Sequence, residues 1–158
     1  MKKLLTTISI IAGITMSSSA YSDEWKYAME EGLTDPQGLY AVKFKEEIEK
    51  NSSHTIKIYP VGALGESADA MEQLQAGLLQ FIDQSPGYTG AMIPEAEAFL
   101  VPYLMPSDPK QVNTFFKEGK AVNEMFHKIY RENDLELLSV FPEGEMAVTT
   151  MKEFHSPA

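Results

Sequence analysis

Two acidic residues and one tyrosine are the side chains whose types and positions suggest chemistry in this sequence. Glu30 and Glu31 follow the segment Trp25–Met29, whose alternating large apolar residues are typical of a strand. Tyr88 lies in a predicted loop, Gln84–Gly90, that follows another apolar run. A carboxylate beside an aromatic face binds a cation through a charge pair and a cation–π contact, the latter worth about 0.5–2 kcal/mol. These residues therefore predict a binding site for a cationic group.

The residue combinations that most enzymes use do not occur in the sequence. His54, His127 and His155 are far apart, and there is no cysteine to complete a metal site. Neither a Gly-x-Ser-x-Gly motif nor a phosphate-binding loop is found. Glu30 and Glu31 are adjacent, so at a strand end they point to opposite faces and do not form a proton-sharing pair. The sequence favours a binding protein over an enzyme and predicts neither a metal nor a cofactor.

A parallel β-sheet is the scaffold predicted to bring the acidic residues and Tyr88 together. Strands are predicted at Trp25–Met29, Thr55–Tyr59 and Leu79–Asp83, with one helix starting at Asp35-Pro36 and another spanning about Ser67 to Ala76. This alternating order implies parallel strands joined by right-handed crossovers. Open α/β sheets bind ligands beyond the carboxyl ends of their strands. We therefore expect Glu30 or Glu31 to converge with the loop that carries Tyr88 at that edge.

Local signals predict how the first two helices begin and pack. The side chain of Asp35 is expected to cap the first helix, with Pro36 at the first helical position. Met71, Leu74 and Leu78 are expected to form the apolar stripe of the second helix, which Gly77 ends. These signals set the expected ends and buried faces of both helices.

The remainder of the chain is predicted to complete an α/β fold in which helices flank a mainly parallel sheet. One helix should begin at Ser107-Asp108-Pro109, and a second should follow Gly119. Strands are then expected at Leu135–Phe141 and at Glu145–Thr150. The two helices are expected to pack on the sheet.

The first 22 residues are predicted to be a secretory signal peptide. Two lysines precede a mostly apolar stretch at 4–16. Cleavage after Ala20 or after Ser22 fits the small-residue pattern, and Ser22 is preferred because it places small residues at both required positions. The apolar stretch is shorter than the roughly 20 residues of a membrane span. Because no cysteine lies near the cleavage site, a lipid anchor is also excluded. We expect an exported, unanchored protein.

The charge of the chain limits its partners. It has 23 acidic and 13 basic residues, with a net charge of −10. Such a surface repels phosphate backbones, so nucleic acid is not an expected partner. The absence of cysteine means that an exported protein of this sequence depends on its core for stability, without disulfides.

Six short segments resemble, in order and spacing, those of one known family. They are Glu66-Ser67, Met71-Glu72-Gln73, Gln84-Ser85-Pro86-Gly87, Pro102-Tyr103-Leu104-Met105-Pro106, Asn123-Glu124-Met125-Phe126 and Pro142-Glu143-Gly144-Glu145-Met146. They are similar to segments of the periplasmic DctP-type solute receptors of TRAP transporters, and within that family to its ectoine and hydroxyectoine receptors. The resemblance extends from about Asp23 to the end of the sequence.

This resemblance implies a periplasmic receptor with two lobes. Such a receptor closes on a small zwitterionic or carboxylate solute and delivers it to TRAP permease subunits in the membrane. In the ectoine receptors of the family, a glutamate after the first strand pairs with the cationic ring of the ligand, and an aromatic residue in a Ser-Pro-Gly-aromatic loop lies against that ring. The corresponding residues are Glu31 and Tyr88, with tyrosine in place of the phenylalanine of those receptors. The resemblance thus implies that Glu31 and Tyr88 bind the substrate.

The sequence ends before the second lobe of the family pattern. The family arginine that holds the ligand carboxylate follows a segment like Ser156-Pro157-Ala158. We therefore expect a signal peptide at 1–22, an N-terminal α/β lobe at 23–141, and a crossover strand with the start of a missing second lobe at 142–158. A lone lobe lacks the charge-assisted bonds of that arginine. It is expected to bind ectoine weakly or not at all, and to pack Glu145–Thr150 poorly.

Two other functions remain open at this point. A receptor of the same fold for a C4-dicarboxylate or a sugar acid would leave Glu31 solvated, since an anionic ligand does not pair with it. A small secreted interaction protein would dock a membrane partner through its acidic surface without any solute. Thermal-shift measurements on a full-length version with ectoine, succinate and a sugar acid separate the two receptors. The interaction protein is expected to show no shift with any of these solutes and still to bind the permease.

Overall fold

The central strand of a three-stranded parallel sheet carries the first acidic residues to its carboxyl end. The computed structural model describes residues 22–144 and residue 151. Strand β1 (Glu24–Met29) lies between β2 (Thr55–Tyr59) and β3 (Phe81–Asp83), and both pairings are parallel. Helices α1 (Pro36–Asn51) and α2 (Ser67–Gln75) are the two crossovers. The predicted strand–helix alternation and the parallel sheet are confirmed.

Helix α1 begins where the sequence predicts, but Asp35 does not cap it. The carboxylate of Asp35 makes no hydrogen bond to the helix. Its Oδ2 instead accepts the backbone N–H of Gly32 at 2.9 Å. The predicted side-chain cap is therefore wrong, because the Asp35 carboxylate is bound within the tight Gly32–Asp35 turn instead. Asp35 thus shapes the loop after Glu31 rather than the helix.

The end of α2 shortens the third strand relative to the prediction. Gly77 has a φ of 72°, and its N–H donates to the carbonyl of Leu74 while that of Leu78 donates to Gln73. This left-handed glycine turn satisfies the last helical carbonyls. Leu78 therefore lies outside the helix and is 59% exposed, so its predicted place on the apolar stripe is wrong. The strand starts at Phe81 instead of Leu79.

Two apolar clusters hold the elements together. The first surrounds β1 and contains Tyr27, Met29, Ala41 and Ile56, with Phe44, Ile48 and Phe81 packed against it. The second lies between α2 and the later helices and contains Met71, Ile93, Ala96, Phe126 and Leu135. Ile56 and Ile93 are the largest side chains that are completely buried among the residues described. The sheet is therefore anchored to α1 by one cluster, while the other connects α2 to the C-terminal helices.

Short helical elements follow the sheet. They are α3 (Pro86–Thr89), a 3₁₀ helix (Pro94–Leu100), α4 (Pro109–Glu118), a π-helical segment (Ala121–Phe126) and α5 (His127–Glu132). The predicted start of α4 is confirmed, since Asp108 accepts the N–H of Lys110 at 3.0 Å. Within residues 22–144, no helix is long and apolar enough to cross a membrane.

The predicted strand at Leu135–Phe141 is wrong, because this segment forms no ladder with the sheet. Side-chain contacts with α1 hold its far end: the hydroxyls of Tyr40 and Ser139 are 3.0 Å apart, and the ring centroids of Tyr40 and Phe141 are 5.4 Å apart. A groove of about 140 Å³ lies between this segment and β3. The predicted strand Glu145–Thr150 and the predicted signal peptide, except Ser22, lie outside the described residues.

Candidate functional site

Carboxylates from three parts of the chain gather at the carboxyl end of the sheet. Glu30 and Glu31 follow β1, Asp83 ends β3, and Glu143 belongs to the segment after Phe141. Glu30, Glu31 and Glu143 each act electrostatically on Asp83. We call these four residues the carboxylate edge. Since parallel strands end at the same side of a sheet, the chain topology produces this concentration of negative charge.

Glu30 connects the end of β1 to the segment after β3. Its Oε2 accepts the backbone N–H of Ser85 at 2.8 Å, and its Oε1 is buried with no hydrogen-bond partner among the residues described. Burial raises the pKa of Glu30, and the hydrogen bond from Ser85 partly offsets that rise. The bond therefore favours the charged carboxylate in a partly desolvated position.

Asp83 is the most strongly perturbed acid of the carboxylate edge. Burial, followed by the charge of Glu30 and then those of Glu143 and Glu31, raises the pKa of Asp83 from 3.8 to about 6. Its Oδ2 is buried without a hydrogen-bond partner in the described part of the chain. Burial also raises the pKa of Tyr27, and the charge of Asp83 adds to that effect. The fold thus contains an acid that is about half protonated near pH 6.

Glu31 is half-buried at the start of the next loop. Its backbone carbonyl accepts the N–H of Val61 at 3.2 Å, which ties this loop to the end of β2. Its carboxylate makes no hydrogen bond or ion pair with another residue in the described ranges. The side chain is therefore available for an external cation, as the sequence-based hypothesis requires.

Tyr88 lies on the one-turn helix α3 instead of the predicted loop. The difference arises because Pro86 occupies the first turn with a helical φ, and the N–H of Thr89 and of Gly90 then close the turn on Ser85 and Pro86. The side chain of Tyr88 is 48% exposed. It stacks on no other aromatic ring among the described residues. The structure therefore places an exposed aromatic residue after the third strand.

Glu31 and Tyr88 share one edge of the sheet and make no hydrogen bond with each other in the described structure. The link between their segments is the Glu30–Ser85 hydrogen bond, which joins the residue before Glu31 to the residue three before Tyr88. A small depression of about 20 Å³ opens at this edge and is lined by residues that include Glu30, Tyr59, Glu66 and Asp83, but not Glu31 or Tyr88. Glu31, as part of the carboxylate edge, and Tyr88, on the segment after β3, therefore do not meet within this depression.

Two polar residues of this region, Asp83 and Gln84, are not predicted by the sequence analysis, and Glu30 is predicted only as an alternative to Glu31. The amide nitrogen of Gln84 donates to the carbonyl of Ser67 at 2.5 Å, while its oxygen is buried without a partner in the described structure. The signal that points to Asp83 and Gln84 is their position, since both directly follow the last apolar residues of a predicted parallel strand.

A metal centre is not formed by these residues. Across residues 22–144 and 151, no group of three or more His, Cys, Asp or Glu side chains is arranged to hold a metal ion. The arrangement offers carboxylate oxygens to a cationic or hydrogen-bond-donating group and an exposed phenol ring to its face.

The buried carboxyl of Asp83 makes stability depend on pH. Because the native pKa of Asp83 is raised, the native state binds more protons than the unfolded state between about pH 4 and pH 6, and stability falls as pH rises through that range. Asp83→Asn removes this penalty. After allowance for partial exposure, we expect the variant to be more stable than wild type by about 1–2 kcal/mol at pH 7.5 and by little or nothing at pH 4. Urea unfolding at both pH values measures the difference.

Asp69→Asn is the control for this prediction, because Asp69 is exposed on α2 and belongs to no part of the carboxylate edge. It is expected to show the pH dependence of the wild type. The prediction is contradicted if the difference in free energy of unfolding between Asp83→Asn and wild type is the same at pH 4 and pH 7.5.

Comparison with known proteins identifies the family. Residues 27–158 match the family described as "Bacterial extracellular solute-binding protein, family 7", or DctP. The chain belongs to this family. Over 141 residues it is 59% identical to the ectoine/5-hydroxyectoine-binding periplasmic protein UehA of Ruegeria pomeroyi, a match that covers 88% of this chain and 42% of the relative. It is also 55% identical over 156 residues to the ectoine-binding periplasmic protein TeaA of Halomonas elongata, covering 98% and 46% respectively.

A solved structure shows the same fold for this DctP-family chain. The periplasmic ectoine-binding protein of the TeaABC TRAP transporter of Halomonas elongata superimposes with a TM-score of 0.75 and 55% identity, over 78% of this chain and 40% of that structure. The predicted α/β architecture and the predicted resemblance are therefore confirmed. The chain spans less than half the length of the curated relatives UehA and TeaA.

Proposed function

We propose that this DctP-family chain is the N-terminal part of an extracytoplasmic receptor that captures ectoine or hydroxyectoine for a TRAP-type transporter. The observation that carries the proposal is the 55–59% identity to two ectoine-binding periplasmic proteins across nearly the whole chain. Residues 1–22 serve as a cleaved signal peptide without a lipid anchor. Residues 23–141 form the first lobe, and 142–158 lead towards a second one.

Charge and geometry at the sheet edge support ectoine as the solute. Ectoine is a zwitterion with a cationic ring and a carboxylate. Glu31 pairs with the ring cation, since its half-buried carboxylate has no partner of its own in the described chain. Tyr88 offers its exposed ring to the same cation. The carboxylate edge adds a negative potential that attracts the ring and repels a dianion such as succinate.

The same charges require that the ectoine carboxylate be bound elsewhere. The charged residues that act on Glu30 and Asp83 are all acids. A basic group from another part of the full receptor therefore holds the carboxylate, and this chain alone binds the solute weakly. The protein captures a solute rather than catalysing a reaction. Its partners are the solute and the membrane permease subunits, to which it delivers the solute from the periplasm.

Calorimetry with two proteins tests the proposed function. One is this chain, and the other is a chimera in which it is joined to the part of Halomonas elongata TeaA beyond the matched region. We expect the chimera to bind ectoine and hydroxyectoine at least about a hundredfold more tightly than succinate or glucuronate, because an unpaired charge in the site costs several kcal/mol. The chain alone should bind ectoine weakly.

Other outcomes point to the alternative functions. If the chimera prefers succinate or glucuronate, ectoine is the wrong solute and the chain belongs to a receptor for an anionic solute. If a folded chimera binds none of these solutes but still associates with the permease, the receptor role is wrong and an interaction protein takes its place. Tight ectoine binding by the isolated chain contradicts the proposal that the carboxylate is held elsewhere.

A further inference from the structure

We infer that Glu30 is a positioning residue: by holding the backbone of Ser85, it sets the place of Tyr88 relative to Glu31. The consequence for ligand binding rests on the proposed function, whereas the positioning itself does not. Glu30 therefore serves the site without contacting the solute, and its neighbour Glu31 provides the ligand contact.

The first argument is the position of the bond in the chain. The carboxylate of Glu30 and the N–H of Ser85 are 2.8 Å apart and separated by 55 residues in sequence. Glu30 is covalently next to Glu31, and Ser85 is the residue before the first turn of α3, which carries Tyr88. One hydrogen bond therefore connects the two halves of the candidate site.

The second argument is that both backbone groups of Ser85, its N–H and its carbonyl, are hydrogen-bonded. Its carbonyl accepts the N–H of Thr89 at 3.2 Å and the hydroxyl of Thr89 at 3.1 Å. Thr89 is 97% buried. Thr89 thus fixes the end of the turn to the protein interior, while Glu30 fixes its beginning to the sheet.

The third argument is that this turn has little stability of its own. Helix α3 has four residues, which is too few to be stable without external contacts. Strand β3 has three residues and ends at Asp83, two positions before Ser85. The strand ladder therefore ends before the turn begins. Without the bond to Glu30, the start of the turn is no longer tied to the end of β1, and the exposed ring of Tyr88 loses its defined position.

The electrostatic surroundings show how the charge of the Glu30 carboxylate contributes to its hold on Ser85. The acids that face Glu30 are Glu31 in its own segment, Asp83 at the end of β3 and Glu143 from the segment after Phe141. Repulsion among them disfavours ionisation, while a hydrogen bond from a backbone N–H favours it. A glutamine at this position keeps an acceptor oxygen and the shape of the side chain but loses the charge that strengthens the bond.

Nuclear magnetic resonance of the chain tests the positioning directly. In wild type, the amide proton of Ser85 should move with pH at the same midpoint as the side-chain carboxyl carbon of Glu30. In Glu30→Gln that titration should be lost, and the hydrogen-exchange protection of the Ser85 amide should fall about tenfold, as expected when a charge-assisted bond becomes a neutral one. Glu31→Gln, the matched control, should leave the Ser85 titration in place.

The ligand-binding consequence is measured on the chimera by calorimetry. Glu30→Gln is expected to weaken ectoine binding about tenfold, through the same loss of bond strength. The inference is overturned if the Ser85 amide does not titrate with Glu30, if Glu31→Gln abolishes that titration, or if Glu30→Gln binds ectoine as tightly as wild type. Absence of ectoine binding in the unmodified chimera instead contradicts the proposed function, and the Ser85 measurement still decides the positioning role.

Discussion

Gly38→Ala is expected to destabilise the protein by on the order of 3 kcal/mol or more, because the new methyl group overlaps backbone atoms that must shift to make room for it. A Cβ at Gly38 would lie 2.4 Å from the carbonyl oxygen of Gly32 and 2.5 Å from both the Cα and the carbonyl carbon of Leu33. Gly38 is buried in the first turns of α1. Either the helix or the loop after Glu31 has to move, so the site is expected to be disturbed as well. Urea unfolding measures the loss.

Gly87→Ala is the matched control, since Gly87 is also helical and a Cβ there meets only a side-chain carbon of Leu100 at 3.7 Å. It should change the free energy of unfolding by less than about 1 kcal/mol, in either direction. Equal stability of Gly38→Ala and wild type shows that α1 packs less closely on the loop at 31–33 than the structure indicates.

Glu31→Gln in the chimera is expected to weaken ectoine binding by about tenfold to a hundredfold, because a hydrogen bond or contact to a charged group is worth about 1.5–3 kcal/mol. Glutamine preserves the shape of the side chain and its contacts in the loop. The loss therefore reports the missing negative charge rather than a change of fold. Calorimetry gives the affinity, and the urea unfolding curve of the variant is expected to match that of wild type.

Glu24→Gln is the control for this second prediction. Glu24 is exposed at the amino end of the same strand, β1, so it carries the same chemistry at the opposite edge of the sheet. It should leave ectoine affinity unchanged. If Glu31→Gln binds as wild type does while Glu30→Gln loses all affinity, the ligand contact belongs to Glu30 and the roles of the two residues are exchanged.

Elements specified by local patterns agree with the structure. Strand β2 coincides with its prediction, and β1 differs by one residue at its start, because alternating apolar residues bounded by Pro or Gly report local periodicity. The start of α4 also agrees, since its Asp-Pro signal needs no distant partner. The segment at Leu135–Phe141 shows the limit of local patterns. Its apolar residues are typical of a strand, but a strand also requires a neighbour with free backbone groups in register, and side-chain contacts with Tyr40 take the place of that pairing.

The sequence by itself determined the components of the candidate site: an acid after the first strand, an aromatic residue after the third, and a fold that brings both to one edge. It did so because strand order and residue type are local properties, and parallel strands end together. Only the tertiary structure decided the hydrogen bond between Glu30 and Ser85, the raised pKa of Asp83 and the close approach at Gly38. Each of these depends on distances between segments far apart in the chain, which no local pattern encodes.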